Sequence, residues 1–215
     1  MAAVVARTVV AFYGPKPEAL GAFIAAAQDA LGAALGAAFQ PRPVFEVHAT
    51  IVGLEDSPER ADDVAEFIGT RLRERPIDLQ FGGFPASDGG LLSRGLSLYE
   101  RSVVLGSGRV VLIGWPVEQG RATARLGELR RDCARFGVIH KYHRGTTDLD
   151  PDAYLVVGAL APDLAASALA EAERAVRAAT LDRTTRVPLT ASDVALVQYV
   201  DPALPRASST WGRLS

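Results

Sequence analysis

A single cysteine, three histidines and no long apolar run set the first limits on this 215-residue chain. Cys133 alone excludes an internal disulfide and a thiolate-rich metal site. It sits in Arg131-Asp132-Cys133-Ala134-Arg135, on the apolar stripe of an expected helix, and is read as packing rather than as a nucleophile. His140 and His143, even with Asp148 or Asp150 nearby, match no zinc or calcium spacing, so neither metal nor cofactor is expected. A formal net charge of −2 offers a polyanion no general attraction and argues against duplex DNA as a partner. The basic run of Arg125, Arg130, Arg131, Arg135, Lys141 and Arg144 reads first as a solvated helix face followed by a loop. The opening Met1-Ala2-Ala3-Val4-Val5-Ala6-Arg7 lacks the basic start and apolar stretch of a secretory signal, and no later window is apolar enough to cross a bilayer. No membrane association and a cytoplasmic setting are the resulting expectations.

What is present is ordinary for a globular protein, 48% hydrophobic and 22% charged residues, and a single bilobal unit over residues 1–215 is expected. Arg7 to Tyr13 reads as a strand stopped by Gly14-Pro15. Leu20, Phe23, Ile24, Ala27, Leu31, Leu35 and Ala38 recur at helical spacing over 17–38. After Ser57 as N-cap and Pro58 in the first turn, Ala61, Val64, Ala65, Ile68 and Leu72 predict a second helix up to Pro76. Ile77 to Phe81 alternates as a strand, and Gly82 to Gly95 is expected to be a mobile loop at a cleft rim. Leu96–Leu105 and Arg109–Trp115 are strand-like runs joined by a Gly106-Ser107-Gly108 turn. A helix is predicted over Gln119 to Phe136, a polar connection over His140 to Asp152, a strand over Tyr154 to Leu160, a helix from Pro162 to about Ala179, and a closing strand over Val194 to Val200.

The run Phe45-Glu46-Val47-His48-Ala49-Thr50-Ile51-Val52-Gly53 carries the chemistry. As a strand it would place Phe45, Val47, Ala49 and Ile51 on one face and Glu46, His48, Thr50 and Val52 on the other. His48 and Thr50 are then either an ordinary satisfied polar pair or catalytic equipment. An internal echo bears on the choice. Arg7-Thr8-Val9-Val10-Ala11-Phe12-Tyr13-Gly14-Pro15 resembles Arg109-Val110-Val111-Leu112-Ile113-Gly114-Trp115-Pro116. Each is followed by helix, strand, helix and strand, so the chain reads as two β-α-β-α-β halves that can face each other across a pseudo-twofold cleft.

On His48-Ala49-Thr50-Ile51 in one half, a matching strand in the other, Leu79-Gln80-Phe81-Gly82-Gly83-Phe84 and the terminal Asp193-Val194-Ala195-Leu196-Val197-Gln198-Tyr199, the chain resembles the 2H phosphoesterase superfamily, which includes RNA 2′,3′-cyclic phosphodiesterases and RNA ligase-like proteins. The resemblance implies an α+β, bilobal fold: two pseudo-symmetric lobes with antiparallel-rich sheets around a central cleft. It implies metal-independent acid/base catalysis by two histidines, with two hydroxyls on the phosphate. His48 and Thr50 match the first motif. In Asp152-Ala153-Tyr154-Leu155-Val156-Val157-Gly158 the second is altered: Tyr154 stands where histidine is expected and Val156 where the hydroxyl is expected. Tyrosine can donate a hydrogen bond or a proton, but with a reference pKa of about 10 it is a poor base near neutrality.

Two rescues remain open: Tyr154 as acid opposite His48, or His143 entering the cleft from its loop. Lys141, Arg144 and Tyr13 are further candidates for ligand contact. The chain is then either a 2H-type phosphodiesterase acting on a cyclic phosphate or phosphodiester of a nucleotide or short RNA end, or a degenerate module that binds a nucleotide or phosphate ester. A purely interacting role would show itself in exposed apolar residues at Leu91-Leu92.

Overall fold

The computed structural model describes residues 5–86, 90–139 and 150–214, and its first strand, β1 (Ala6–Ala11), runs through the middle of a four-stranded antiparallel sheet. Its neighbours are β3 (Ala49–Gly53) on one side and β10 (Val194–Tyr199) on the other, with β11 (Ser209–Arg213) beyond β10. The second sheet runs in the order β2 (Phe39–Pro41), β8 (Ala153–Leu160), β6 (Arg109–Glu118), β4 (Ile77–Phe81), β9 (Thr185–Leu189). The first part of β6 also pairs with β5 (Val103–Gly106) and its end with β7 (Arg121–Ala122).

Each half of the chain supplies two adjacent strands to its own sheet, β1 and β3 or β6 and β8, and sends others across: β2 and β4 from the first half, β10 and β11 from the second. Thus β3-β1-β10 in one sheet answers β8-β6-β4 in the other, and the echo between Arg7–Pro15 and Arg109–Pro116 is the echo of β1 and β6. The core between the layers joins them: Val9, Ala11, Ala49 and Ile51 pack with Leu79, Phe81, Leu112, Ala153 and Leu155 in one continuous cluster.

The helices fill that cluster from periodic apolar stripes. In α1 (Glu18–Leu35), Leu20, Phe23, Ile24, Ala27 and Leu31 are buried, and Gly36, at φ +53°, ends the helix. In α2 (Ala61–Glu74) the stripe is Ala61, Val64, Ala65, Ile68 and Leu72, with Asp62 and Asp63 in the first turn and Arg71 and Arg73 in the last, complementing the helix dipole. Each large aliphatic side chain taken fully from water in this way contributes about 1.5–3 kcal/mol.

Several sequence expectations are corrected. Phe45 is not in a strand: Val44–Glu46 forms a 3-10 turn, and β3 begins only at Ala49. A bulge in the β1–β3 ladder falls between Val9 and Val10, so Val10 pairs with Thr50 while Val9 pairs with Val52. Ile51 is the extra residue, and Val52 therefore turns into the core instead of following Thr50. Ser57 makes no side-chain cap; a 3-10 turn over Pro58–Arg60 intervenes before α2.

Leu96–Leu105 is no continuous strand. Ser97 and Glu100 form a capping box that starts the short helix α3 (Leu98–Arg101), and only Val103 onward is extended. The helix expected from Gln119 starts later, as α4 (Arg125–Asp132), because Gln119 and Gly120 at φ +50° and +78° turn the chain back onto β6. The last helix, α5 (Ala166–Val176), begins past Pro162 and ends in a π turn over Arg177–Leu181.

Candidate functional site

The expected site strands, β3 and β8, lie side by side where the two sheets meet. The bulges make their residues comparable. In the second sheet the β6–β8 ladder shifts between Val110 and Val111, with Val111 opposite Val156 and Val110 opposite Gly158. Val156 thus occupies the position before the bulge that Thr50 occupies in the first sheet, and Tyr154, two residues earlier, corresponds to His48. Both pairs point away from the common core. Thr50 pairs with Val10, whose side chain joins Tyr13, Ala195 and Val197, while Tyr154 and Val156 join Val111, Ile113 and Trp115.

One buried side chain fixes the spacing of the strands. Arg130, 3% exposed, donates from Nε to the Ile51 carbonyl (2.9 Å), from Nη1 to the Asp150 carbonyl (2.6 Å), and from Nη2 to the carbonyls of Thr50 (2.7 Å) and Asp152 (3.0 Å). One nitrogen therefore touches both half-sites. Arg130 is thus no member of a solvated basic face, as its place in the arginine run suggested.

His48 is delivered by a crossing segment. β2 pairs with β8, the Arg42 amide donates to the Val157 carbonyl at 2.9 Å, and the chain then crosses to β3 through the Val44–Glu46 turn. The imidazole is 9% exposed and its Nδ1 lies 2.7 Å from the Glu46 carbonyl. A carbonyl can only accept, so Nδ1 carries the proton and Nε2 keeps the lone pair. Burial, reinforced by the Arg42 and Lys16 cations, lowers the pKa from 6.5 to about 4 against the raising effect of the Glu46 carbonyl. His48 is accordingly neutral at pH 7, a proton acceptor rather than a donor.

Around it stand Tyr13, its ring 5.9 Å away, then Phe45 and Trp211, in edge-to-face contact with Tyr13 and each other. Tyr13 is buried, and its hydroxyl donates to the Leu204 carbonyl at 3.0 Å, so the ring supports the imidazole. Gly14 is needed beside it: φ is +96°, and a Cβ would lie 3.0 Å from the Trp211 indole. Lys16 donates to the carbonyls of Gly14 (2.8 Å) and Phe45 (3.1 Å), and burial, with help from Arg213, lowers its pKa to about 7. Near neutrality it therefore exists in both protonation states.

The second half-site is different. Asp152, 1% exposed, accepts from Trp115 Nε1 (2.7 Å), from Ser93 Oγ (2.8 and 2.9 Å) and from Arg101 Nη2 (3.2 Å). The same Arg101 nitrogen donates to the Tyr154 hydroxyl. Burial raises the pKa of Tyr154, so it remains a phenol across the neutral range. Val156 packs in the apolar cluster with Leu98 and Trp115, and offers no hydrogen bond.

Lys16, Arg42, Arg101 and Asp152 escaped the sequence reading because four separate segments bring them in and no local spacing links them. His140, Lys141, His143 and Arg144 lie outside the described residues. Cys133 is buried, its Sγ contacts the Leu129 carbonyl, and burial pushes the thiol up to about 12, so it is inert. Among the described residues no group of three metal-ligating side chains converges. Two cavities lie away from it: one of about 320 Å³ is lined by Arg71, Arg75, Arg125 and Asp132, and one of about 260 Å³ by Leu54, Ser57 and Val138.

With two antiparallel sheets meeting at β3 and β8, the fold is similar to that of 2H phosphoesterase-like structures. Among solved structures it resembles TT0787 of Thermus thermophilus, with a TM-score of 0.50 and 16% identity over 98% of this chain and 95% of that one. A weaker likeness, with a TM-score of 0.45 and 12% identity over 98% of both chains, is to Usb1 of Kluyveromyces marxianus, solved with uridine monophosphate. At such identities the likeness is one of fold. No model of a known protein family matches the sequence, and no curated protein matches it.

Proposed function

We propose that the chain is a divergent member of the 2H phosphoesterase superfamily, acting without a metal on a cyclic phosphate or phosphodiester of a nucleotide or short RNA end. The observation that carries this reading is the His48 imidazole: buried, neutral, with Nδ1 committed to a backbone carbonyl and the lone pair on Nε2. Nε2 takes the proton of an attacking water as its oxygen bonds to phosphorus, and Thr50 holds a phosphate oxygen. The P–O bond to the sugar breaks, and Tyr154 protonates the departing oxygen, since an alkoxide is more basic than a phenolate. A positioned base of this kind contributes about 10²–10⁴-fold.

The test is turnover of 2′,3′-cyclic nucleotides and cyclic dinucleotides by wild type and His48→Ala. Wild-type hydrolysis reduced at least a hundredfold in the variant is expected. Equal background turnover in both ends the enzymatic reading. A second reading has its own support in Tyr154 and Val156, which leave the β8 half without a proton acceptor: the cleft then holds a nucleotide or phosphate ester and releases it unchanged. Saturable calorimetric binding of these nucleotides with no product is its signature.

A further inference from the structure

We infer that Lys16 is the positioning residue of the β3 half-site: its side chain ties the end of β1 to the Val44–Glu46 turn and so holds the Glu46 carbonyl that selects the tautomer of His48. Its effect on turnover rests on the reading of His48 as the base, whereas its effect on the imidazole belongs to the fold and is read without any substrate.

The turn is weak by itself. It is one 3-10 turn closed by two backbone bonds, from the Glu46 amide to the Pro43 carbonyl (2.8 Å) and from the Val47 amide to the Val44 carbonyl (3.2 Å). Its peptide groups need tertiary ties to keep their orientation. The Phe45 carbonyl accepts twice, from the Gly14 amide (2.9 Å) and from Lys16 Nζ (3.1 Å), and Lys16 donates also to the Gly14 carbonyl (2.8 Å). From the other side the Arg206 amide donates to Glu46 Oε1 at 2.8 Å. The next carbonyl along the turn, that of Glu46, is the acceptor for His48 Nδ1. A rotation that freed this carbonyl would let the imidazole proton move to Nε2 and remove the lone pair there.

Lysine suits this place in two ways. Its backbone is fixed by Pro17, which disfavours the helical region for the residue before it, and by Arg213, which donates to the Pro15 carbonyl at 3.1 Å. Its nitrogen also keeps both bonds in either protonation state: the ammonium has three N–H groups and the free amine two, and two carbonyls are bonded to it. Burial brings its pKa to about 7, so both states occur near neutrality without loosening the turn. Only the field changes. Among the described residues, Arg213 from β11, Tyr13 after β1, Arg42 and Glu46 from the crossing segment, and Asp201 and Arg206 from the β10–β11 connection face this corner. Three guanidinium groups thus oppose two carboxylates, and Arg42 and Lys16 are the cations that act on His48 to keep its ring neutral.

The test is the pair of imidazole nitrogen resonances of His48, recorded against pH in wild type, Lys16→Met and Lys16→Arg. Wild type should show one protonated and one bare nitrogen above pH 6.5 and titrate near 4. In Lys16→Met, which has neither donor nor charge, the two resonances should draw together as tautomers mix, and the midpoint should rise toward 6.5. Lys16→Arg, with charge and donors, should restore the wild-type pattern. In wild type the His48 resonances should also inflect at the midpoint read from the Lys16 13Cε resonance, with the tautomer unchanged. If Lys16→Met keeps the wild-type shifts and midpoint, or if wild type shows no such inflection, the inference is overturned. Turnover of 2′,3′-cyclic AMP is a separate arm, in which kcat of Lys16→Met should fall about ten- to a hundredfold with KM little changed. Should wild type and His48→Ala turn over alike, the functional reading fails while the nitrogen resonances still decide the role of Lys16.

Discussion

A histidine kept neutral by burial leaves a signature in stability. His48 has a pKa of about 4 in the folded chain and an ordinary value of 6.5 when exposed. Between those values the unfolded chain binds the extra proton, so stability falls as pH drops from 6.5 toward 4 and is fully present above 6.5. The full span corresponds to about 3 kcal/mol. Urea unfolding of wild type and His48→Gln at pH 7 and pH 4 should show the wild type losing about that much more than the variant. Equal losses would mean that His48 is solvated or already paired as a cation. The neighbouring Lys16 is lowered by the same causes, burial first and then a nearby cation, and between them they give the β3 site an acceptor and a titrating amine.

Among the elements, the join between β3 and β8 depends on α4 through Arg130. Four carbonyls, of Thr50, Ile51, Asp150 and Asp152, end on its guanidinium. Arg130→Met leaves them buried without donors and should destabilise the fold by about 3–5 kcal/mol. Arg130→Lys, with its charge but no fork, should recover only part of this in chemical denaturation.

At the same scale the sequence was readable where periodicity was strong. The stripes of α1 and α2 and the runs of β4, β8 and β10 needed no tertiary information. β2 and β9 were missed because Pro41 and Pro188 argue against a central strand, and both lie in edge strands. β11 was missed because Ser209-Thr210-Trp211-Gly212-Arg213 is largely polar and only partly buried. The Ser97–Glu100 capping box was missed, because the apolar run around it suggested a strand. For the site, His48-x-Thr50 and its altered echo at Tyr154 and Val156 were local patterns. The partners of Tyr154 were not, since Asp152, Arg101 and Ser93 meet only through folding.

For the whole molecule the exchange of strands between the sheets matters most. β4 belongs to the first half of the chain but completes the second sheet, and β10 does the reverse. A cut at Ser107 would leave β2 and β4 in the first piece and β9 in the second without their sheet neighbours, and would divide a continuous core. Residues 1–107 alone should therefore lack dispersed amide resonances, and mixing with 108–215 should restore them; a dispersed spectrum from 1–107 alone would contradict this dependence. The Arg130 guanidinium has a consequence at this scale too. It behaves as a gauge block between the sheets: the gap cannot breathe without stranding a buried cation. Discrimination among ligands by size therefore falls to the surrounding loops and side chains, and a variant with altered preference should be sought there, with the width of the gap left as it is.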